Sequence, residues 1–189
     1  MTPLALEPPV EEPVSLDEAR SFLRLDQADE YDLLAMLLTA ARLMVEAACG
    51  RCLVDQHWRI VVDRWPQEGE IRLPLSPVSA ILAARVYDQA GLAQPIDPAA
   101  LSLESLSDPP LIRIAGGVPT PGRDHGAIEI DVVAGFGPAA TDVPAPLRQA
   151  VLRLAARWFE ERGDVASRDA RALPVPIAAL LAPYRRARL

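Results

Sequence analysis

The chain has 189 residues, of which 50% are hydrophobic and 24% charged, and its formal net charge is −7. This length suits one ordinary domain with a core of its own, and no apolar run approaches the roughly 18 residues that a membrane span needs. The N-terminus lacks a basic region followed by an apolar stretch, so we expect no secretory signal. Two cysteines form no disulfide framework and favour a reducing compartment.

Charge is spread unevenly along the chain. Residues 1–32 carry nine acidic and two basic side chains, whereas residues 164–189 carry five arginines and two aspartates. An acidic start and a basic end favour heterologous protein contacts over general nucleic-acid affinity. An N-terminal stretch that is merely solvated is an equal alternative.

The first residues predict a flexible arm followed by a short helix. Residues 1–14 contain four prolines, which is typical of an extended or disordered arm. Ser15 and Glu18 have capping-box spacing, because the serine hydroxyl can accept from a free helix amide while the glutamate reaches back. We therefore predict a helix over about 15–26.

A second, longer helix is predicted over about 29–49. Asp29 begins it, acidic residues in its first turn suit the helix dipole, and Gly50 ends it. The predicted core-facing positions are Leu33, Leu37, Ala40, Ala41, Met44 and Ala48, widened by Leu34, Leu38 and Val45.

An antiparallel β region is predicted over about 56–136, where the hydrophobic period changes from helical to alternating. Strands are expected near residues 58–62, 71–73, 81–87, 111–114 and 128–132. The last is the clearest, since Glu129 and Asp131 alternate with three apolar residues. Helix then returns over about 143–162, with a core face of Leu147, Ala150, Val151, Leu154, Ala155 and Trp158.

The order of elements predicts an α+β fold. It consists of a helical core with an antiparallel β insertion, forming a single domain over 15–163, and an extended C-terminal arm over 164–189. This arm is apolar between prolines and ends in arginines, so it must dock on something. The candidates are a partner's groove, nucleic-acid phosphate, or the chain's own domain, for which Pro174, Pro176 and Pro183 disfavour a long return helix.

No convincing catalytic or metal site is predicted. Cys49 and Cys52 have redox-motif spacing, but they stand at the end of a helix, where the dipole disfavours a thiolate. A zinc site would need two more ligands, and only His57 and His125 exist, without finger-like spacing. Two alternatives stay open: a small redox or metal-binding protein using the two cysteines, and a DNA-binding factor using the arginine-rich tail.

Several motifs, taken in order, resemble the head-to-tail connector proteins of tailed phages and of gene transfer agents. They are the segments at residues 15–24, 48–51, 71–78, 142–150 and 180–185, together with Trp58, Trp158 and Glu160. The resemblance covers nearly the whole chain from about residue 14. The two cysteines are not part of the family's pattern.

The resemblance implies a structural, non-enzymatic virion protein without a cofactor, made in the bacterial cytoplasm and located at the head–tail junction. Such proteins form a ring, generally twelve-fold, between the portal and a downstream tail-completion or stopper protein, and DNA passes through without specific binding or membrane contact. The C-terminal segment of the family engages the portal. The residues that inherit this role are Ile177, Leu180, Leu181, Pro183, Tyr184, Arg185, Arg186 and Arg188.

Overall fold

A computed structural model describes residues 1–25, 30–161 and 173–186. The chain divides into two compact units. One, the β unit, comprises Met1–Val10 and Asp55–Phe136; the other, the helical unit, comprises Glu11–Val54 and Gly137–Leu189. The N-terminal residues and the predicted β insertion therefore belong to the same unit.

The described part of the helical unit contains four α-helices: α1 (Leu16–Leu23), α2 (Tyr31–Cys49), α3 (Ala145–Glu160) and α4 (Val175–Leu181). The two long helices, α2 and α3, pack on each other, and α1 and α4 each contact both of them. A 3-10 turn, Ala182–Tyr184, follows α4 directly.

The capping box at the start of α1 forms as its spacing predicts. The Glu18 amide donates to the Ser15 hydroxyl at 3.1 Å, and the Ser15 amide donates to the Glu18 carboxylate at 2.9 Å. The hydrogen bond from the Ser15 backbone is the main cause that holds the pKa of Glu18 below its ordinary value. The helix ends at Arg24, which adopts a left-handed conformation.

The buried face of α2 differs from the predicted one. Of the six central positions predicted to face the core, only Ala41 is buried, and Ala40 is exposed. The three positions predicted to widen that face are all buried: Leu34, Leu38 and Val45. The residues that are buried are Leu34, Leu38, Ala41, Arg42, Val45 and Cys49. The face is rotated by about one residue, roughly 100°. The helix is apolar on nearly all sides, so its hydrophobic pattern does not single out one face.

The core face of α3 follows its sequence pattern closely. Its buried residues are Leu147, Ala150, Val151, Leu154, Ala155, Ala156 and Phe159. Trp158, also predicted for this face, is half-buried. The pattern is clear here because Arg153 and Arg157 lie on the other side of the helix, whereas Arg148 contacts Pro13 and Glu18 beside α1.

The β unit contains two antiparallel sheets. The strands are β1 (Thr2–Glu7), β2 (Gln56–Val62), β3 (Glu70–Arg72), β4 (Val78–Tyr87), β5 (Ala93–Pro95), β6 (Leu101–Glu104), β7 (Leu111–Ile114) and β8 (Ile128–Ala134). A five-stranded sheet has the order β1-β2-β8-β4-β5, and a three-stranded sheet has the order β3-β7-β6. The central strand β8 buries Ile128, Ile130 and Val132 completely, as its alternation predicts.

The N-terminal residues form an edge strand where a flexible arm was expected. Thr2 to Glu7 pair with β2, with Thr2 opposite Val61 and Ala5 opposite Trp58. Pro3 is compatible with this position, because an edge strand leaves one row of backbone groups unpaired. The predicted α+β class is confirmed, with helices in one unit and antiparallel sheets in the other.

Candidate docking surface

The C-terminal segment, residues 173–186, packs on its own helical unit. Pro174 precedes α4 and Pro176 lies in its first turn, where the missing amide hydrogen costs little. One face of this two-turn helix buries Ile177 and Leu181 against α2 and α3. Pro183 falls in the following 3-10 turn, where the α-helix has already ended. The prolines thus limit the return helix to seven residues and do not prevent it.

The C-terminal end of α2 holds the last described residues in place. The Arg186 amide donates to the Cys49 carbonyl at 3.1 Å, and Arg51 Nε donates to the Tyr184 carbonyl at 3.0 Å. Cys49 is the last residue of α2, so its carbonyl has no partner within the helix. The C-terminal segment therefore completes the hydrogen bonding of a helix end.

Gly50 ends α2 with a φ of +70°, a left-handed conformation that side chains rarely adopt. Arg186 lies against it, since a Cβ atom at this position would be 3.4 Å from Arg186 Cδ, an ordinary contact distance. The conformation of the helix end, and not the space around it, therefore requires the glycine.

The predicted docking residues divide into two groups. Ile177 and Leu181 lie in the core of the chain's own helical unit. The others are accessible on the outer side of the segment: Leu180, Tyr184 and Arg186 are half-buried, and Pro183 and Arg185 are exposed. Arg188 lies outside the described residues. The portal-docking role stays a prediction, and the accessible group is the one that can carry it in this conformation.

A buried arginine supports the same end of α2. Arg42 donates to Glu12 at 2.8 Å and to Glu46 at 2.9 Å, and its side chain is 5% exposed. The other oxygen of Glu46 accepts the amide of Leu53 at 2.8 Å. A buried charge needs such partners. This network attaches Glu12, before α1, and Leu53, after α2, to the side of α2. The spacing of charges in the sequence did not reveal it.

Both cysteines are buried thiols. Burial is the main cause that raises the pKa of Cys49, and burial, followed by the charge of Glu46, raises the pKa of Cys52 to about 12. A thiol with such a pKa is a poor nucleophile at neutral pH. Among the described residues, no group of three or more His, Cys, Asp or Glu side chains could hold a metal ion.

The β unit carries a cluster of paired charges on the polar face of its larger sheet. Arg59 donates to both oxygens of Asp131, at 2.7 and 3.0 Å, and Arg85 contacts Asp131 and Glu129. The Tyr87 hydroxyl donates to Glu129 at 3.0 Å. Sequence alternation placed the two carboxylates on this face, but only the strand register brings the arginines beside them.

Electrostatics show that this cluster is a stabilising network. Burial alone raises the pKa of Asp131, but the hydrogen bond from Arg59 and the charges of both arginines outweigh it and hold the pKa below its ordinary value. The hydrogen bond to Asp131 is the main cause that raises the pKa of Arg59. Two carboxylates and two guanidinium groups balance each other, so the cluster holds the sheet together and presents no net charge.

Within the described residues, no helix is long and apolar enough to cross a membrane. No family model matches the chain, and no curated protein matches it. Solved structures do. A chain from the neck of an empty gene transfer agent particle, computed with C6 symmetry, matches with a TM-score of 0.85 at 30% identity, covering 100% of this chain and 97% of that chain.

Two further structures give the same result. A chain from the virion of a native gene transfer agent particle and one from the neck of a native particle, computed with C12 symmetry, each match with a TM-score of 0.82 at 28% identity. Each match covers 100% of this chain and 97% of the other. The fold is therefore that of a structural component of a virion neck. The chain belongs to the head-to-tail connector family of tailed phages and gene transfer agents.

Proposed function

We propose that this protein is the subunit of an adaptor ring that joins the portal of a DNA-filled capsid to the tail and surrounds the DNA exit channel. The observation that carries the proposal is the match of the full chain, at 30% identity, to a chain from a particle neck. The portal binds on one side of the ring, and a downstream tail-completion or stopper protein binds on the other.

The distribution of charge supports this role. The chain has a net charge of −7, which repels phosphate and lets DNA pass without adhering. Residues 1–32 are strongly acidic and residues 164–189 are basic, so segments of opposite charge are available for contacts between unlike neighbours.

The C-terminal segment is the proposed portal anchor. Its inner side is fixed to α2 and α3 through Ile177 and Leu181, and its outer side presents Leu180, Tyr184 and Arg185. An anchor that is already folded loses less conformational freedom on binding than a disordered tail does. The aromatic ring and the leucine supply apolar contact, and the arginine can pair with a portal carboxylate.

A charge-reversal variant tests the anchor. We expect Arg185→Glu, combined with Tyr184→Ala, to reduce the fraction of DNA-filled heads that carry tails, while the purified protein keeps its thermal midpoint. The matched control is Arg153→Glu, which reverses an exposed arginine on α3. Electron microscopy of particles counts tailed and untailed heads. If the double variant and the control give the same fraction of tailed heads, the anchor is not at these residues.

A truncation that tests the anchor must leave the buried residues of the C-terminal segment in place. Removing residues 174–189 would take away Ile177 and Leu181 and uncover the apolar surface that they occupy on α2 and α3, so a loss of attachment would be confounded with unfolding. Removing residues 187–189 leaves every described residue of the segment in place. This shorter truncation tests the last three residues together, which include Arg188, the one predicted docking residue outside the described residues.

A further inference from the structure

The outward side of α2 is an unusual helix surface. Its exposed residues after the first turn, which we call the outer face of α2, are Ala35, Met36, Ala40, Leu43 and Ala47. Met36, Ala40, Leu43 and Ala47 recur at intervals of three and four residues and so lie along one side of the helix, which Ala35 flanks. Met36 is 66% and Leu43 is 54% exposed. The outer face contains no polar side chain.

The charges of α2 explain why this face is apolar. The helix has three charged residues: Asp32 is in its first turn, and Arg42 and Glu46 pair with each other on the inner side. Beyond the first turn, no charged side chain of α2 lies on the outer face. The outward side of α3 differs, because it carries Arg153, Arg157 and Glu160. The contrast is between two long helices of the same unit, one with the usual solvated surface and one without it.

The outer face has the dimensions of a helix-packing site. From Met36 to Ala47 it extends about 16 Å along the axis, at ~1.5 Å per residue. Ala40 separates the two large side chains, and Ala35 and Ala47 lie at the two ends of the face. The backbone of a neighbour can therefore approach closely while Met36 and Leu43 fill the spaces beside it. Contiguous apolar surface of this kind on a soluble protein marks an interaction site.

We propose that the outer face of α2 packs against a second copy of this chain, as the side-to-side contact of the ring. The inference rests on the proposed adaptor function and names the surface that builds the assembly. Homologous chains occur in necks with C6 and C12 symmetry, in which every subunit is repeated around an axis. A subunit in such a ring meets identical copies on two sides, so an apolar surface along its longest helix has a copy available to cover it.

The contact is between unlike surfaces. A ring of more than two subunits uses head-to-tail interfaces, so the outer face of α2 must meet a different region of the neighbouring copy. Packing of α2 against α2 would give a two-fold dimer and no ring. The C-terminal segment occupies the end of α2 at Cys49, and the outer face stops at Ala47 on another side of the helix. Portal anchoring and ring contact therefore use separate surfaces.

Photo-crosslinking in assembled particles tests the proposal. A benzoylphenylalanine introduced at position 36 should give, on irradiation, an adduct with twice the mass of this chain. The matched control is position 92, because Leu92 is also 66% exposed but lies in the β unit between β4 and β5. Mass spectrometry of the cross-linked peptide identifies what is bound. A peptide from this chain outside α2 supports the proposal.

The other outcomes overturn it. An adduct with a different neck protein, a peptide that joins position 36 to α2 of another copy, or the absence of any adduct in particles that contain the chain each refutes the side-to-side contact. If purified necks do not contain the chain at all, the proposed adaptor function fails instead. The two failures are thus distinguishable.

A second variant measures the same contact without a probe. Leu43→Glu places a carboxylate where the neighbour would bury it, which costs more than the 1.4 kcal/mol that corresponds to a factor of ten. We expect about tenfold or greater loss of the chain from purified necks, whereas Leu92→Glu leaves its amount unchanged. Because Leu43 is exposed in the single chain, the thermal midpoint of the free protein should be the same for both variants. Normal incorporation of Leu43→Glu would refute the contact.

Discussion

Leu181 provides a direct measure of how firmly the C-terminal segment is attached. It is the last residue of α4, it is 0% exposed, and α4 contacts both α2 and α3. Leu181→Ala removes three buried carbons, for a transfer loss of about 2.4 kcal/mol at ~0.8 kcal/mol each. The cavity left behind adds to this, so we expect the free energy of unfolding to fall by about 3 kcal/mol. For a chain of this length the thermal midpoint should fall by roughly 6–12 °C.

The assay is urea unfolding followed by far-ultraviolet circular dichroism, with thermal unfolding as a second measurement. Val175→Ala is the matched control, because Val175 is on the same helix but 83% exposed, and its loss should change stability by less than about 0.5 kcal/mol. If Leu181→Ala is no more destabilising than Val175→Ala, the segment is not packed on its own unit. The reasoning that separates its inner and outer sides would then be refuted.

Three further predictions concern charges and thiols. Arg42→Met should lower the free energy of unfolding by about 3 kcal/mol, because it leaves two carboxylates without their buried partner. Arg157→Met, which breaks an exposed pair with Glu161, should cost under about 1 kcal/mol, and urea unfolding compares the two variants. Cys52 should react with a thiol reagent at pH 8 only after denaturation, since a pKa of about 12 leaves on the order of one thiolate in 10,000 molecules. Rapid labelling of Cys52 in the native protein would contradict this prediction. The pKa of Asp131 is lower in the folded protein than in the unfolded chain, so its stabilising contribution is complete above the ordinary aspartate pKa and is lost as the pH falls through the folded value. Asp131→Asn should therefore be less stable than the wild type at pH 7 and should lose less of its stability on acidification. Denaturation at pH 7 and at pH 3 measures both effects.

The elements that the sequence predicts well are those whose pattern is local. α3 alternates apolar residues with arginines at helical spacing, and β8 alternates at strand spacing, so both buried faces can be read directly. The capping box of α1 is equally local. The resemblance to the family also depends on local patterns, because the order of motifs along the chain can be compared without knowing which elements contact each other.

The features that the sequence does not predict depend on distant partners. β1 is a strand because it pairs with β2, which lies about fifty residues further on, and its prolines alone indicate a flexible arm. The buried face of α2 includes Arg42, whose charge pairs there with Glu12. Nothing local in α2 reveals that partner.

The C-terminal segment shows where local rules fell short and where they would have helped. Its three prolines predict an extended arm, but Pro174 and Pro176 stand where a helix tolerates proline, and Ile177 and Leu181 are one turn apart. These signals predict a two-turn helix with one apolar side. What covers that side is a tertiary contact. The sequence alone favoured a partner protein and left the chain's own unit as an alternative.

The order of strands has a consequence for how the chain is made. β1 leaves the ribosome first, but Thr2 pairs with Val61, and β2 in turn requires β8, where Arg59 faces Asp131. The larger sheet therefore cannot close until about two thirds of the protein has been synthesised, and the segment that completes the helical unit emerges last. During synthesis the backbone of β1 has no strand to pair with until β2 has emerged. A tag that precedes β1 is synthesised before it and leaves the interval between β1 and β8 unchanged, whereas a tag inserted in the exposed loop at Leu106 stands between β2 and β8 and prolongs that interval. A tag for imaging the neck is therefore better placed outside the segment from β1 to β8.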